Sequence, residues 1–232
     1  MASSRPYDRG PATGGQPRLA FREQDAVWKD LVALGESVVG SLEKCVLAVC
    51  EGRLELIAEV KEEEEETDRK EVRIEQETLR ILALFEPVAS DLRRMATVLK
   101  VNRDWERIAD LALRVARRAR KLARKHPEVI APESLKDMAR SVLKQVQAAQ
   151  ALLVDADADA ARRLIAEDQR IDDAYRNIRR HLKEQTAANP DQLDGWLLLL
   201  NSARNLERIA DHAEGIAQAI VFFQEGVILR HT

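Results

Sequence analysis

The sequence predicts an all-α fold built from two tandem, pseudo-repeated three-helix bundles. Leu, Ala, Arg, Glu and Lys recur at three- and four-residue intervals from about residue 21 onward. No stretch of useful length alternates with period two, so we expect helices without a sheet. The pentapeptide ERIAD occurs at 106–110 and again at 207–211, 101 positions apart, which indicates an internal duplication of about 100 residues.

Breaks in the helical pattern divide the chain into six long helices. Glu51-Gly52 ends the first helix, and Pro87 ends the second because proline lacks the amide hydrogen that a helix interior needs. The third helix ends in Arg and Lys, which the negative end of the helix dipole favours. Asn189-Pro190 separates the fifth helix from the sixth. The predicted helices span about 21–50, 54–84, 88–125, 133–154, 158–186 and 191–224.

These helices predict a domain order of tail, bundle, connector and bundle. Residues 1–20 mix Pro and Gly with polar residues and lack an apolar stretch, which predicts a disordered tail and not a signal peptide. The first bundle covers 21–125, a proline-bearing connector covers 126–132, and the second bundle covers 133–228. Short connections favour antiparallel neighbours, so we expect each bundle to run up-down-up.

Composition excludes several classes of protein. The longest apolar runs, at 196–200 and 220–223, are far shorter than the roughly 20 residues that cross a bilayer, so we expect no membrane insertion. A net charge of −3 and an aromatic content of 4% give no basic surface for nucleic acid. Cys45 and Cys50 lie five positions apart on one helix, too far for a disulfide, and reduced cysteines favour the cytoplasm.

Each copy of ERIAD carries a Glu and an Asp four residues apart, a spacing that places both side chains on one face of a helix. The preceding helix of each half contains a similar pair of acids. Because neighbouring helices of a bundle are antiparallel, the four carboxylates of each half are expected to converge. The four pairs are Glu64 and Asp68, Glu106 and Asp110, Asp168 and Asp172, and Glu207 and Asp211.

Spacing alone leaves two interpretations of these acids open. A solvated acidic face neutralised by nearby arginines is the commoner arrangement for any single pair. The alternative is a cation site, because oxygen ligands without Cys or His suit Mg²⁺, Mn²⁺, Ca²⁺ or iron. A di-iron enzyme would need Glu-x-x-His, whereas here Ala109 and Ala210 stand three positions after Glu106 and Glu207, where the histidine would be. No phosphate loop or nucleophile elbow is present either, so the sequence predicts no enzyme.

Two segments of the sequence resemble the PhoU family of phosphate-signalling and phosphate-transport accessory proteins. The first is LALFEPVASDLRRMATVLKVNRDWERIADLA at 82–112, which contains PVASDLR before the first ERIAD. The second is ARNLERIADHAEGIAQAIVFFQEGVILRH at 203–231, which closes with Gly226, Arg230 and His231. The resemblance covers about 21–231. The family usually has Gly where this chain has Ala109 and Ala210, and Gln where it has Glu86.

The resemblance implies a cytoplasmic dimer of two similar bundles that restrains the phosphate-starvation response when phosphate is plentiful. Its partners would be the ATPase subunit of the phosphate ABC transporter and a membrane sensor histidine kinase. Some members hold multinuclear metal clusters on Glu/Asp-x-x-x-Asp motifs, which here are the same eight acids. Iron, zinc, manganese and magnesium are the candidate metals. We expect Arg93, Arg107 and Arg208 at a partner contact.

The sequence therefore predicts a non-enzymatic regulator of phosphate uptake that acts by protein–protein contact. Two alternatives remain, a carboxylate-bridged metalloenzyme and a metal-free dimerising bundle. The basic stretch RVARRARKLARKH at 114–126 also has two interpretations. It is either a helix end with charges that complement the dipole, or a patch for an anion or an acidic partner.

Overall fold

The computed structural model describes residues 16–229, which form six α-helices and no strand, as the sequence predicts. Short 3-10 turns at Leu54–Leu56 and Pro190–Gln192 precede the second and sixth helices. The helices are α1 (Gln16–Glu51), α2 (Ile57–Phe85), α3 (Ala89–Lys125), α4 (Glu133–Val154), α5 (Ala158–Ala188) and α6 (Leu193–Glu225).

The ends of the helices differ from the predicted ends by up to five residues. Helix α1 begins at Gln16, so residues 16–20 are helical and do not belong to the predicted disordered tail. Pro17 is compatible with this start, because the first turn of a helix needs no intrahelical amide donor. The rest of the predicted tail, residues 1–15, lies outside the described residues, as do Arg230 and His231.

The turn between α2 and α3 spans three residues, as predicted, but lies one residue later, at 86–88. Pro87 lies within this turn, two residues before α3 begins at Ala89. Glu86 ends α2 with a left-handed φ of 46°, and Ala89 has a φ of 50°. Positive φ angles at two residues other than glycine let the chain reverse its direction within this short turn, at a cost in backbone strain.

Each half of the chain is a three-helix bundle, and the two bundles share one core. Helices α1, α2 and α3 pack on one another, and so do α4, α5 and α6. Helix α3 also packs along α6, the most extensive helix pair in the described chain, and α1 packs on α4. Buried residues from all six helices form a single apolar cluster.

Small residues allow the helices to approach closely at the centre. Ala109 and Ala210, the alanines of the two ERIAD copies, are both buried. Trp105 is fully buried and lies against Gly35, where an added Cβ would come within 2.8 Å of the indole ring. Gly35 is therefore required by packing, because no side chain fits between α1 and the tryptophan.

No described helix combines the length and the apolar character that spanning a membrane requires.

Candidate functional site

The structure places the predicted acids in two clusters, one in each bundle, and among the described residues it brings only Asp168, Asp172 and Asp211 of the second cluster within 4.8 Å of one another. The first acidic cluster lies between α2 and α3 and consists of Glu64, Asp68, Glu106 and Asp110. Glu64 interacts electrostatically with Asp68 and with Asp110 across the helix pair. Glu106 interacts in the same way with Asp110 and with Asp68. The i, i+4 pairs of two adjacent helices therefore lie at matching heights.

The second acidic cluster lies between α5 and α6 and consists of Asp168, Asp172, Glu207 and Asp211. Asp168, Asp172 and Asp211 each offer one carboxylate oxygen, and these three oxygens lie within 4.8 Å of one another. Oxygens on different sides of an ion bound at 2.0–2.6 Å are about 4–5 Å apart. Glu207 borders the group and interacts with Asp172 and Asp168. The second cluster thus has the donor atoms and the spacing that a hard cation requires.

Burial and mutual repulsion disfavour ionisation in the first cluster. Burial raises the pKa of Glu64, and the neighbouring Asp68 and Asp110 raise it further. Burial also raises the pKa of Glu106, although the guanidinium of Arg107 partly opposes this shift. Glu71 extends the cluster along α2, and its pKa is raised by burial, by Glu75 and by Glu106. A bound cation would relieve this repulsion.

The largest pKa shift among these acids belongs to Asp211 of the second cluster. Burial raises the pKa of Asp211 to about 6, and Glu207, Asp168 and Asp172 add to the shift. Burial raises the pKa of Glu207 as well, followed by the charge of Asp172. His212 lowers the pKa of Asp211 only slightly in comparison.

The two clusters differ at the position one helical turn after the aspartate of ERIAD. Arg114 lies one helical turn after Asp110 and holds both of its oxygens, with Nε 3.0 Å from Oδ1 and Nη2 2.8 Å from Oδ2. The residue at the same place after Asp211 is Gly215, which has no side chain. Arg114 therefore neutralises Asp110 from one turn away on the same helix, and the corresponding residue 215 has no side chain to do so for Asp211.

Gln145 on α4 is a contact residue of the second cluster that the sequence analysis missed. Its Nε2 donates a hydrogen bond of 2.9 Å to Asp168 Oδ1. Its Oε1 is buried and has no hydrogen-bond partner among residues 16–229. The signal was available, because Gln145 interrupts the apolar stripe that Met138, Val142 and Ala149 form on α4.

The corresponding helix of the first bundle, α1, contributes a cation and not an amide. Lys44 Nζ lies 2.7 Å from Glu59 Oε2 and also binds Glu63. Ser41 donates a hydrogen bond to Glu63 Oε2. Glu59 and Glu63 belong to the acidic face of α2, so the first bundle again neutralises acids with its own basic residues.

The three arginines predicted at a partner contact have different environments. Arg93 Nε donates to the carbonyl of Phe223 at 3.2 Å and packs on Gly226, which ties the end of α6 to α3. Arg107 and Arg208 instead line a groove between α3 and α6. Their contact with a partner stays a prediction.

The sequence profile of the PhoU domain matches residues 31–119 and 135–220 of this chain. The two matched segments correspond to the two bundles.

Similar proteins and structures cover most of the chain. A "phosphate-specific transport system accessory protein PhoU homolog" of Pseudomonas aeruginosa is 32% identical over 209 residues, which is 90% of this chain and 86% of that protein. A homolog with the same name from Deinococcus radiodurans is 31% identical over 194 residues, 82% of this chain and 91% of that protein. The crystal structure of PhoU from Pseudomonas aeruginosa superposes with a TM-score of 0.86 at 31% identity, covering 89% of this chain and 99% of that one.

Proposed function

This chain belongs to the PhoU family, and we propose that it is an accessory regulator of phosphate transport and not an enzyme. The names of relatives that cover most of the chain at about 30% identity support this role. These relatives carry the name of an accessory protein of the phosphate-specific transport system, so an interaction with that system is the natural mode of action.

The chain acts by protein–protein contact in the cytoplasm, as a homodimer that restrains the phosphate-starvation response. Its partners are the ATPase subunit of the phosphate ABC transporter and a sensor histidine kinase. Two long helices, α2 and α5, support this mode of action, because each buries only a narrow stripe and leaves a charged face to solvent. Extended polar faces of this kind suit regulated contacts, which are more polar than permanent interfaces.

A metal bound to each acidic cluster fixes the shape of that surface. The three oxygens within 4.8 Å of one another in the second cluster are the observation that carries this proposal. Asp168, Asp172, Glu207 and Asp211 would hold the metal there, and Glu64, Asp68, Glu106 and Asp110 would hold it in the first bundle. The all-oxygen donor set fits iron, manganese and magnesium best, and zinc accepts carboxylates too. The metal would neutralise the repelling carboxylates and hold two adjacent helices together.

Metal binding is tested on purified protein by thermal unfolding with Mn²⁺, Fe²⁺, Zn²⁺ or Mg²⁺. We expect at least one metal to raise the melting temperature of the wild type, because it binds only the folded clusters. Asp172→Asn should reduce this rise, whereas Glu184→Gln, which removes an exposed acid from the same helix, should not. A wild type that keeps the same melting temperature with every metal, and contains none after mild isolation, contradicts the metal part of the proposal.

The regulatory role is tested separately in cells. Deletion of the gene should switch on a phosphate-starvation reporter in phosphate-rich medium, and the wild-type chain should repress it again. Arg107→Glu with Arg208→Glu should impair repression and co-purification of the ATPase subunit, since both residues lie on one exposed face. Arg179→Glu with Arg180→Glu, an equal charge change at two exposed positions of α5, is the control. Unchanged reporter activity in the deletion strain would refute the regulatory role.

A further inference from the structure

A pocket of about 260 Å³ lies between the two bundles, at the end of the molecule where the connector 126–132 joins them. The last turns of α1 and α3 form one side of this pocket. The connector, the first turn of α4 and the first half of α6 form the other side. None of the eight predicted metal ligands lines it. A pocket between two structural units is a common place for a small ligand.

The walls of this pocket are mostly apolar. Both bundles contribute, with Val49 and Leu122 from the first and Leu199 from the second. The connector contributes Ile130, which lines the pocket and is nevertheless 75% exposed. The wall formed by the connector is therefore open to solvent, and a ligand can reach the apolar interior of the pocket from this side.

One charged group in this apolar lining has no partner. Arg118 lines the pocket, and its Nη1 is buried without a hydrogen-bond partner among the described residues. No ion pair within residues 16–229 includes Arg118. Burial lowers the pKa of Arg118, and Arg114 lowers it further, but a guanidinium stays charged at neutral pH. Because a buried charge without an acceptor is unfavourable, the pocket favours an anion.

The other polar side chains of the lining are already engaged. Lys136 Nζ lies 3.3 Å from Glu133 Oε2. The Cys50 thiol donates to the carbonyl of Lys136 at 3.7 Å, and burial raises its pKa, so it stays neutral at pH 7. The Ser202 hydroxyl donates to the carbonyl four residues before it. No Asp or Glu of the described residues lines the pocket, so Arg118 supplies one uncompensated positive charge.

Volume and charge together define the ligand. A cavity of roughly 150 Å³ holds one benzene molecule, so about 260 Å³ admits a ligand of about ten non-hydrogen atoms at similar packing. A carboxylate carries a single charge and accepts two parallel hydrogen bonds from one guanidinium. A phosphate ester would bring a second charge, for which the lining offers no free cation.

We propose that this pocket binds a small organic monocarboxylate with an apolar body. The carboxylate pairs with Arg118, and the hydrocarbon chain packs on Val49, Leu122 and Leu199. Burial of the chain removes apolar surface from water, and the carboxylate gives the buried guanidinium its missing acceptor. Because these residues belong to both halves of the chain, the ligand contacts the two bundles at once.

The experiment measures binding of octanoate, which has the required size, to the purified wild-type chain by calorimetry. EDTA is present so that no metal at the acidic clusters recruits the carboxylate. 1-Octanol tests the apolar body without the charge, and acetate tests the charge without the body. We expect saturable octanoate binding, about tenfold weaker binding of 1-octanol, and no saturation by acetate in the same range. Because partner proteins are absent, failure here leaves the proposed regulatory role intact, and failure of that role leaves this result intact.

Three variants separate the parts of the pocket. Arg118→Gln should weaken octanoate binding about tenfold and leave 1-octanol binding unchanged, since only the charge-assisted contact is lost. Ala119→Phe places a ring in the pocket and should weaken binding of both ligands. Arg120→Gln, an equal charge change at an exposed position of α3 outside the pocket, should change neither.

Three results would each overturn the inference: no saturable octanoate binding by the wild type, 1-octanol binding as tight as octanoate binding, or an unchanged octanoate affinity in Arg118→Gln. Thermal unfolding without ligand distinguishes a binding role of Arg118 from a structural one. Since Arg118 has no partner to lose, we expect the melting temperature of Arg118→Gln to equal or exceed that of the wild type. The comparison of octanoate with 1-octanol uses the wild type alone, so it remains decisive if Ala119→Phe does not fold.

Discussion

The two acidic clusters share a sequence motif and a helix arrangement, but they differ in how closely their carboxylates approach and in the residue that lies one helical turn beyond them. In the first cluster Arg114 holds both oxygens of Asp110, and in the second the same place is taken by Gly215. The pKa of Asp211 is accordingly raised to about 6 by burial and by three neighbouring carboxylates. A duplicated motif therefore does not imply two equivalent sites, because a residue one helical turn away decides how much repulsion a ligand can relieve.

From this difference we predict that the second cluster binds the proposed cation more tightly than the first. Binding affinity depends on the repulsion that the metal removes, and the first cluster has already removed part of it with Arg114. The second cluster also receives an amide from Gln145, whereas the first bundle places Lys44 beside the acids of α2. Four predictions test this comparison.

The largest expected effect comes from removing the acids of one cluster. Glu207→Gln with Asp211→Asn should lower the affinity for the tightest-bound metal about a hundredfold, because two charged ligands become neutral. Glu106→Gln with Asp110→Asn, the matched change in the first bundle, should leave that tightest class in place. Metal titration followed by calorimetry distinguishes the two. Equal losses in both variants would show that the clusters are equivalent.

Gln145→Leu should have the next largest effect. The hydrogen bond to Asp168 Oδ1 orients this carboxylate, and loss of such an orienting contact typically lowers metal affinity about tenfold. The metal affinity of the second cluster is the quantity to measure. Gln24→Leu, which removes a buried glutamine from α1 far along the chain from both clusters, is the control. A Gln145→Leu variant with wild-type affinity would show that the amide does not position Asp168.

Arg114→Ala should make the first cluster resemble the second. Removing the guanidinium frees both oxygens of Asp110, and we expect the metal affinity of the first cluster to rise about fivefold to tenfold. Arg120→Ala, an exposed arginine two turns further along α3, should leave it unchanged. A lower affinity in Arg114→Ala would mean that the arginine supports the site and does not compete with the metal.

The smallest expected effect is a pH dependence of stability without metal. A folded-state pKa of about 6 for Asp211, above its usual 3.8, means that the folded chain binds the proton more tightly than the unfolded one. The contribution of Asp211 to the free energy of unfolding is therefore largest below pH 3.8, and it falls as the pH rises toward 6. After allowance for solvent screening, we expect Asp211→Asn to stabilise the chain by about 1 kcal/mol at pH 7.

Urea unfolding in EDTA at pH 7 and at pH 4.5 measures this effect. The stabilisation by Asp211→Asn should shrink at pH 4.5, where the wild-type carboxyl is already protonated. Asp173→Asn, which changes an exposed acid on α5 paired with Arg176, should show no such gain at pH 7. A stabilisation of equal size at both pH values would indicate that repulsion at Asp211 is not its cause.

The helices and the convergence of the acids could be predicted because both follow from local periodicity. Glu106 and Asp110 share a face of any α-helix, and short connections then bring α2 and α3 into antiparallel contact. The free cysteines were predictable on the same ground, and Cys45 is indeed buried and unbridged. Local spacing carries this information without any knowledge of the tertiary structure.

The pairing of α3 with α6 could not be predicted in this way. Alanine-rich faces on both helices show that something packs closely there, but they do not specify which helix it is. The groove depends on that pairing and was therefore invisible in the sequence. Gln145 is visible in the sequence as a polar residue in an apolar stripe of α4, but its partner Asp168 could be identified only once the neighbouring helix was placed.

Sharing one interior has a consequence for how this duplicated chain can be divided. The faces of α3 and α6 that contact each other belong to different halves of the chain. Separating the halves at 126–132 would therefore expose an apolar helix face on each of them. Neither half could then exist as an independent module. A single three-helix bundle of this kind would need to dimerise to bury that face, and the duplicated chain carries both copies in one polypeptide.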